Sequence, residues 1–554
     1  MTKADLIIEN ARVLTMNPAQ PRAEAVAVRG HQILAVGSAS EIGALAGQGT
    51  RRFDAQGNSV IPGLIESHMH LFLGAFGLRL LHLDGVHGLE ALRAAVVPYA
   101  HANPAEALLI CKATDYSLFG DGVATTRHLL DQVLADRPLI CIAGDHHTAW
   151  ANTIALDRAG LLQGREMPAG SAMVMGADGT ATGELHEQAA IDALLSLRSS
   201  GGREHLGLLG LEPGADLTPT QRDADLAVMR EGLRHCASFG FTSLHNMDGN
   251  AYQLALLQEL EDRGELLCRT EIPYHFTPDK PLSALDEASW MHQTYRSDRL
   301  RSGRIKTFMD GVVDSGTAFL VDDYADRPGW HGEALHKAEA FNALAIEADR
   351  RGLQISVHAI GDAAVRRVLD GYEAARKANG PRDSRHRIEH IELLHPADFH
   401  RLRDLGVIAS MQPPHPPGAM DFPLEPWRSR VGQTRWPHAF PVRALRDAGV
   451  PVALSSDWPV SDINPMRGIK AAMMRPRWTP DCPDNRLTLD EALHGYTAGG
   501  AYTGFDEDRL GRLMPGMQAD IAVIDHDLTT LDPDQIDTAR AALTVCAGAI
   551  TWEA

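Results

Sequence analysis

The sequence predicts an α/β protein in which a TIM (β/α)8 barrel is combined with a small β-sandwich and an inserted α/β domain. Three observations support this fold class. Buried strands and amphipathic helices alternate over the middle of the chain, and short alternating strands occupy both chain ends. One gap between predicted strands is also too long for a barrel loop. We therefore place the barrel over 63–504, the sandwich over 1–62 with 505–554, and the insertion over 76–235.

The two chain ends share one sequence character. Near the start, "DLIIENARVLTM" and "AEAVAVRGHQILAVG" alternate polar and apolar residues between Gly and Asn turns, as the strands of a small sandwich do. Near the end, "MQADIAVIDHD" and "ALTVCAGAITWEA" repeat this pattern. A single β-module that is split between the chain ends, with the barrel inserted into it, explains both segments.

Eight apolar segments predict the barrel strands. Helical patterns separate most of them, as in a parallel α/β sheet, and eight is the number that closes a TIM barrel. In chain order the segments are "SVIPGLIES", "GFTSLHN", "LLCRTEIPYHF", "GRIKTFMD", "LQISVHA", "HRIEHIEL", "GVIASMQ" and "VPVALSSD". The first two are about 165 residues apart, far more than a βα loop holds. This gap predicts the insertion, with "ALLICKATDY" and "DRPLICIAGDHHTAWANTIAL" as its strands.

Composition excludes several classes of partner. The chain has 554 residues, is 44% hydrophobic and carries a formal net charge of −20. That charge argues against nucleic acid and anionic membrane, since both attract basic surfaces; its simpler interpretation is a solubilising surface. No apolar stretch approaches the ~20 residues that cross a bilayer, and the N-terminus lacks a signal-peptide h-region. Six scattered cysteines without a C-x-x-C pair predict reduced thiols. Together these features predict a cytoplasmic protein.

Two histidines in the first barrel strand are the first candidates for metal ligands. His68 and His70 are two residues apart at the end of an apolar run, so on a strand both side chains point to one face. Two imidazoles at the carboxyl end of a strand can share a divalent cation. For an isolated H-x-H, however, the more common outcome is that one histidine faces the core and the other ends a loop.

The ends of the later strands reverse this weighting. His358 ends "QISVH", His390 ends "RIEH" and Asp457 ends "VALSSD". Each lies where a barrel strand meets the carboxyl-terminal face that holds TIM-barrel active sites. Lys306 lies inside the apolar strand "GRIKTFMD", where an ammonium is costly unless it is neutralised or paired. Together these side chains suit zinc or a similar metal with nitrogen and oxygen ligands.

With these residues in order, the chain resembles the amidohydrolase superfamily, and most closely its YtcJ-like branch (amidohydrolase family 3). The segments that carry the resemblance are "PGLIESHMH", "IKTFMDG", "VHAIGDAAV", "RIEHIELL", "SSDWPVSDINPMRGI" and "LTLDEALHGYTAGGAYTGFDEDRLGRLMPGMQADIAVID". They cover essentially the whole chain, and their ordered combination is specific. One departure is Glu66, where the superfamily more often has Asp. It is not an expected ligand.

The resemblance implies a centre of one or two metal ions, zinc or another divalent cation. The implied ligands are His68, His70, Lys306, His358, His390 and Asp457. The first two histidines and the aspartate would bind the more buried ion, and the later two histidines a second. Lys306 would be the bridging lysine, which carbon dioxide converts into an anionic carbamate ligand. The alternative is an ion pair between Lys306 and Asp310 or another acid.

The implied reaction is hydrolysis of a non-peptide carbon–nitrogen bond by a metal-activated water. Asp457 is the expected general base and then the general acid for the leaving nitrogen. His390 or His358 would help to polarise the substrate carbonyl. Two alternatives stay open: an ester or lactone hydrolase that uses the same site, and a non-catalytic metal-binding scaffold on this fold. A homodimer is implied by the resemblance alone.

Five further residues are predicted to contact the small-molecule substrate. They lie on the expected active-site face or in the insertion: His147, Asp310, Gln412, His415 and Trp458. A structural role within its own loop is the alternative for each. Three long connections, among them "PPHPPGAMDFPLEPWRSRVGQTRWPHAF", are rich in Trp, Pro, Met and Phe and predict an apolar lid. Such a lid favours a hydrophobic or aromatic N-acyl or N-formyl substrate.

Overall fold

The structure is a computed structural model that describes residues 2–83, 85–114, 116–120, 122–143, 148–167, 172–186, 188–420 and 422–554. The chain forms two compact units. The first comprises Met1–Gly74, Gly207–Glu212 and Met229–Ala554, and the second comprises Ala75–Leu206 and Pro213–Val228.

The first unit contains a strand in each of the eight segments that the sequence predicts as barrel strands. All of these strands pair in parallel, within two sheets. In pairing order, the four-stranded sheet consists of Leu300–Arg301, Arg269–Glu271, Phe241–Asn246 and Leu64–Met69. The six-stranded sheet consists of Tyr274–His275, Arg304–Phe308, Gln354–Ala359, Arg387–His390, Ile408–Met411 and Val452–Leu454. The third segment contributes a strand to each sheet. Among the described residues the strands thus form two ladders rather than one closed sheet.

Burial on both faces explains why these strands are continuous apolar runs. Every residue of Leu64–Met69 and of Gln354–Ala359 is buried, as in parallel sheets that are covered on both sides. The helix Ala338–Arg350 supplies part of the cover. It buries one face at the spacing of an amphipathic helix, through Phe341, Leu344, Ala345 and Ala348.

Helices occupy most of the connections in this unit. The α-helices are Ala39–Gly43, Ala251–Asp262, Leu285–Thr294, Ala338–Arg350, Asp362–Asn379, Phe399–Leu405, Trp427–Val431, Val442–Asp447, Pro465–Met474, Leu489–Gly495 and Ala498–Thr503. The 3₁₀ helices are Leu282–Ala284, Pro396–Asp398, Gln433–His438 and Pro533–Thr538. Three helices cross the boundary between the units: Leu71–Gly77, Arg203–Leu209 and Pro219–Ser238.

Segments from both chain ends pair in one sheet. Ile521–Ile524 runs antiparallel to Ser59–Pro62, with Ala522 opposite Ile61. The pairing order of this six-stranded sheet is Ala549–Glu553, Ala541–Cys546, Ile521–Ile524, Ser59–Pro62, Arg12–Leu14 and Arg22–Ala23. A second sheet has the order Gln32–Gly37, Ala25–Arg29, Leu6–Glu9 and Arg51–Asp54. One hydrophobic cluster contains residues of both sheets, so the two sheets share a core.

The second unit is built on one mixed sheet of six strands. Their pairing order is Ala172–Met175, Ala181–His186, Thr148–Ala151, Leu139–Ala143, Leu109–Thr114 and Leu81–His82. Its helices are Leu89–Ala102, Arg127–Val133, Thr153–Arg158 and Gln188–Leu195. The strands Leu109–Thr114 and Leu139–Ala143 lie in the two segments that the sequence predicts as strands here, and they pair in parallel. Trp150 and the thiols Cys111 and Cys141 lie in its hydrophobic core.

All six cysteines are buried as free thiols. None of the helices among the described residues combines the length and the apolar character that crossing a bilayer requires.

Candidate metal centre

Ligand atoms from three strand ends converge in the first unit. His68, His390 and Asp457 are buried, and each offers one atom within 4.8 Å of the others. Nε2 of His68 lies 3.2 Å from Oδ1 of Asp457, and Nε2 of His70 lies 3.3 Å from the same oxygen. This oxygen makes no hydrogen bond of good geometry to any described residue. The atoms are therefore crowded together without bonding one another.

The donor set fits a divalent ion such as zinc. Zinc–ligand bonds of ~2.0–2.2 Å in a tetrahedral arrangement separate neighbouring donor atoms by about 3.3 Å. Oδ1 of Asp457 lies at that spacing from both imidazole nitrogens. Imidazole nitrogen and carboxylate oxygen are also donors that zinc prefers. A cation between these atoms would satisfy the carboxylate oxygen that the protein leaves without a hydrogen bond.

Buried carboxylates orient both histidines of the H-x-H motif. Nδ1 of His68 lies 2.7 Å from Oε2 of Glu389, and Nδ1 of His70 lies 2.9 Å from Oδ1 of Asp248. Because a carboxylate only accepts, Nδ1 of each ring carries a proton and Nε2 faces Asp457. Burial lowers the pKa of His70, but the hydrogen bond to Asp248 and the attraction of the nearby carboxylates of Asp248 and Asp457 outweigh burial and raise this pKa to about 9. The surroundings thus attract positive charge, which a proton or a metal ion can supply.

Glu389 is itself held by a buried arginine. Nη2 of Arg387 donates to Oε2 of Glu389 at 3.0 Å, and also to the carbonyl of Ser67 and the hydroxyl of Ser410. Burial alone would raise the pKa of Glu389, but Arg387 and His68 keep it well below its usual range. The carboxylate that orients His68 therefore stays ionised.

Neutral acceptors orient the two later histidines. Nδ1 of His390 lies 2.9 Å from the amide oxygen of Gln412, whose nitrogen donates to the hydroxyl of Ser455 at 2.9 Å. Nε2 of His358 donates to the carbonyl of Gly311 at 3.1 Å. Burial lowers the pKa of His358 to about 3 and that of His390 well below its usual value. Both imidazoles are therefore neutral and keep a lone pair, on Nε2 of His390 and on Nδ1 of His358.

The backbone is strained at two of the converging residues. His390 and Asp457 have φ values of +77° and +63°, a region that side chains other than glycine rarely adopt. Neighbouring groups hold this conformation, because the N–H of Asp457 donates to the carbonyl of His68 at 3.0 Å. One residue earlier, the N–H of Ser456 donates to the buried carboxyl of Glu66 at 2.8 Å. Strain of about 1–3 kcal/mol per residue persists mainly where function requires the geometry.

Lys306 is fully buried beside the site. Its Nζ lies 4.8 Å from the centroid of the Phe308 ring and has no hydrogen-bond partner within the described ranges. Burial lowers the pKa of Lys306 to about 8, against the attraction of Glu389 and Asp457. The ion pair with Asp310 that the sequence left open is not formed.

Two of the predicted substrate residues bond within the protein instead. The carboxylate of Asp310 accepts three backbone N–H groups, those of Phe319, Ile360 and Gly361, at 2.8–3.0 Å. It thereby links the loop that follows the strand Arg304–Phe308 to the residues that follow the strand Gln354–Ala359. Gln412 is engaged through both of its amide atoms, as described above. Their sequence positions predict that both residues lie at the carboxyl-terminal face of the sheet. They do not predict which groups the two side chains hydrogen bond to.

Trp458 is buried against the helix that follows the first strand. A Cβ atom on Gly74 would lie 2.4 Å from the Trp458 ring, so only glycine fits there. The Trp458 carbonyl accepts the N–H of His70 at 2.8 Å. This predicted substrate residue therefore packs beneath the site and holds the backbone of a candidate ligand.

We expect Gly74→Ala to destabilise the protein by about 1–3 kcal/mol, because the new methyl overpacks the Trp458 ring. Urea unfolding followed by circular dichroism measures the change. Gly77→Ala in the same helix is the matched control, because its Cβ would meet nothing within 4 Å. Equal unfolding midpoints for the two variants would show that the ring moves aside at no cost.

The candidate ligands open into a cavity of about 500 Å³ that lies in the first unit. His68, His70, Lys306, His358, His390 and Asp457 all line it. The other lining residues are Leu73, Leu208, Phe308, Val312, Asp314, Ile360, Glu392, His415, Pro417, Phe422, Pro423, Trp427 and Val460. Apolar side chains from the long connections thus form most of the wall.

His415 is the predicted substrate residue that the structure brings into the cavity. Its Nε2 lies 3.8 Å from Oδ2 of Asp457, and its ring stacks on that of His390 with centroids 5.8 Å apart. Asp310, Gln412 and Trp458 do not line the cavity. His147 lies outside the described residues.

Sequence reasoning missed the acids that support the site. Asp248 and Glu389 orient the first two histidines, and Glu392 lines the cavity. The available signal was an acidic residue inside or just after an apolar strand, as in "RIEHIEL" and "LHNMDG". Such residues must be paired when they are buried, and the nearest imidazole is their natural partner.

The parallel strands bring buried histidines, a carboxylate and a lysine to the wall of one cavity. This arrangement is typical of a metal-dependent hydrolase. The profile of the amidohydrolase family matches residues 51–552. The chain belongs to the amidohydrolase family, and it is a metal-dependent hydrolase that acts on carbon–nitrogen bonds. This confirms the resemblance that the motifs carry.

Three curated relatives align over most of the chain. The protein LONG AFTER FAR-RED 3 of Arabidopsis thaliana is 30% identical over 94% of this chain and 87% of its own length. The protein YtcJ of Bacillus subtilis is 26% identical over 98% of both chains. The N-substituted formamide deformylase of Arthrobacter pascens is 26% identical over 99% of this chain and 98% of its own.

A solved structure shows the same fold. The crystal structure of an uncharacterised metal-dependent hydrolase from Pyrococcus furiosus superposes with a TM-score of 0.73 at 25% identity. The match covers 93% of this chain and 98% of that one. The likeness supports a fold of the TIM-barrel type for the parallel strands described above.

Proposed function

We propose that the protein hydrolyses the carbon–nitrogen bond of a small hydrophobic N-formyl or N-acyl compound. The observation that carries this proposal is the cavity, which has histidines, Lys306 and Asp457 at one side and a mostly apolar wall elsewhere. An apolar wall of this kind favours an alkyl or aromatic group next to the scissile amide. The similarity to an N-substituted formamide deformylase supports the formyl end of this class.

The proposal includes the barrel and the metal ligands. Met69, the last residue of the first strand, forms a parallel bridge with Trp458, which follows the last strand. This bridge supports closure of the eight strands into a barrel. We propose the chain-end sandwich and the insertion over 76–235 as its added parts. The ligand set is His68, His70, Lys306, His358, His390 and Asp457, and zinc is the preferred ion for these donors.

When bound, the metal would supply a Lewis acid that polarises the substrate carbonyl and lowers the pKa of water. Asp457 is placed to take a proton from the attacking water with Oδ2, since Oδ1 lies between the two imidazoles and would bind the metal. Nearby imidazoles keep the pKa of Asp457 well below its usual range against the effect of burial, so it is ionised and able to accept. It would then deliver the proton to the leaving nitrogen.

Lys306 is proposed to carry a carbamate. A buried amine whose pKa is near 8 is partly neutral at physiological pH, and a neutral amine reacts with carbon dioxide. The carbamate would convert the buried ammonium of Lys306 into an anionic ligand for the metal. This change removes the cost of burying an unpaired ammonium. Lys306 lines the cavity, and its Nζ has no hydrogen-bond partner in the described part of the chain; both observations support this modification.

Chelation followed by a substrate panel tests the proposed function. We expect the purified protein to contain zinc or another divalent metal, and to hydrolyse N-formyl and N-acetyl alkylamines. Dialysis against a chelator should abolish this turnover, and zinc should restore it. Turnover of esters or lactones alone would favour the alternative hydrolase. Metal-free protein that hydrolyses nothing would favour a binding scaffold.

A further inference from the structure

The mouth of the cavity is mainly apolar although it faces solvent. Four of the described residues that line the cavity are exposed: Val312, Asp314, Pro423 and Val460. The two valines are 41% and 54% exposed, and Asp314 is the one charged residue of the four. Single apolar side chains at a surface are common. Three that meet at the mouth of one cavity instead form a patch of the kind that binds a ligand.

Hydrogen-bonded turns hold both valines in place. The N–H of Val312 donates to the hydroxyl of Thr317 at 3.0 Å, and the carbonyl of Val312 accepts the N–H of Thr317 at 3.0 Å. The N–H of Val460 donates to the carbonyl of Asp457 at 2.8 Å. A β-branched side chain also has few χ1 rotamers. Because backbone and side chain are both restricted, a ligand that covers these valines costs little conformational entropy.

A row of rings connects this mouth to the metal centre. Pro423 follows Phe422, whose ring packs edge-on against that of His415 with centroids 5.2 Å apart. His415 in turn stacks on His390, a candidate metal ligand. All four residues line the cavity. A chain that begins at the metal centre can therefore follow one wall outward to the exposed residues.

We propose that Val312, Pro423 and Val460 are specificity-determining residues that form an apolar rim and bind the outer part of a linear alkyl chain on the substrate. This inference rests on the proposed function and narrows its substrate class. Since a formyl group has no chain of its own, the scissile nitrogen carries the chain. The preferred substrates are N-formyl alkylamines whose chain extends past the cavity and covers the rim, because each methylene that leaves water there strengthens binding.

A homologous series of substrates tests the rim. The series is N-formylbutylamine, N-formylhexylamine, N-formyloctylamine and N-formyldecylamine. For zinc-loaded wild-type protein we expect kcat/KM to rise by about two- to fourfold for each added methylene, up to the longest chain.

The variant that tests the rim carries Val312→Thr and Val460→Thr together. Threonine keeps the branched shape of valine, but its hydroxyl opposes burial under an alkyl chain. The ratio of kcat/KM for the decyl to that for the butyl substrate should therefore fall by about tenfold relative to wild type. Val123→Thr is the matched control. Val123 is 43% exposed and does not line the cavity, so this variant should keep the wild-type ratio.

Two results would overturn the role of the rim. One is an equal decyl-to-butyl ratio in wild type and in the double variant. The other is a loss that is the same at every chain length and is accompanied by a smaller mass in light scattering, which would assign the valines to an interface between two copies of the chain.

Binding of the amine products separates this inference from the proposed reaction. Calorimetry should show affinity that increases from butylamine to decylamine in wild type, and increases less in the double variant. This pattern without turnover of any formamide would sink the proposed function and leave the rim standing. Turnover that is independent of chain length would do the reverse.

Discussion

Asp457→Asn is expected to lower kcat by about 10²–10⁴-fold, the usual contribution of a general acid–base group. Asparagine has nearly the same shape, and its amide oxygen can still face the two imidazoles that lie 3.2 and 3.3 Å from Oδ1. It cannot take up or return a proton at physiological pH. Turnover of an N-formyl alkylamine by zinc-loaded protein measures the effect.

The unfolding midpoint distinguishes lost proton transfer from lost structure. Asp457→Asn should keep its unfolding midpoint close to that of wild type, because the backbone bond from its N–H to His68 is unchanged. Asp462→Asn in the same connection is the matched control. Its side chain is about half exposed and does not line the cavity, so it should keep full activity. Retained turnover in Asp457→Asn would show that another group moves the proton.

Lys306→Met is expected to change activity and stability in opposite directions. The variant loses the amine that would carry the carbamate, so kcat of the zinc-loaded protein should fall by about 100-fold, as for loss of a metal-supporting group. In the metal-free, carbon dioxide-depleted protein, however, it removes a buried ammonium without a hydrogen-bond partner in the described residues. We therefore expect the metal-free variant to be more stable by roughly 1–3 kcal/mol at neutral pH.

The pH dependence of this stability difference follows from the lysine pKa. Burial lowers the folded-state value to about 8 from the ordinary 10.5. The penalty of the buried ammonium is complete below about pH 8 and disappears as the pH rises toward 10.5, because the amine is then neutral in both the folded and the unfolded state. The advantage of Lys306→Met should shrink over this range. Mass spectrometry of wild type under bicarbonate should show the mass of one added carbon dioxide.

Lys280→Met is the control for removal of a partnered lysine. Nζ of Lys280 donates to the hydroxyl of Tyr274 and the carbonyl of His275 at 3.1 and 3.0 Å. The loss of these bonds should leave the variant no more stable than wild type, with its activity intact. If Lys306→Met were as active as wild type, the proposed carbamate would be wrong.

The order of strands and the strand-end residues could be predicted because they follow local rules. Runs such as "LQISVHA" are apolar throughout, since both faces of the strand Gln354–Ala359 are buried. A polar residue at the end of such a run therefore lies at the carboxyl-terminal edge of the sheet, where the active sites of such folds lie. His68 and Asp457 come from opposite ends of the chain, yet the sequence placed both on one face for this reason.

Orientation within the site was decided by contacts between distant segments. Gln412 and Asp310 were expected to contact the substrate. Instead, Gln412 hydrogen bonds to His390, and Asp310 accepts backbone N–H groups of neighbouring loops. Trp458 packs on Gly74 for a similar reason, because the helix after the first strand leaves room only for a glycine there. No local pattern contains this information.

By itself, the sequence determined the parallel α/β core, the amidohydrolase family and the set of side chains at the strand ends, because periodicity and ordered motifs are properties of the chain. Only the tertiary structure decided which atoms those side chains present. Nε2 of His68 is free for a metal because Glu389, 321 residues away in the chain, holds Nδ1. Hydrogen bonds between buried groups are set by distance in space, and a linear sequence does not encode that distance locally.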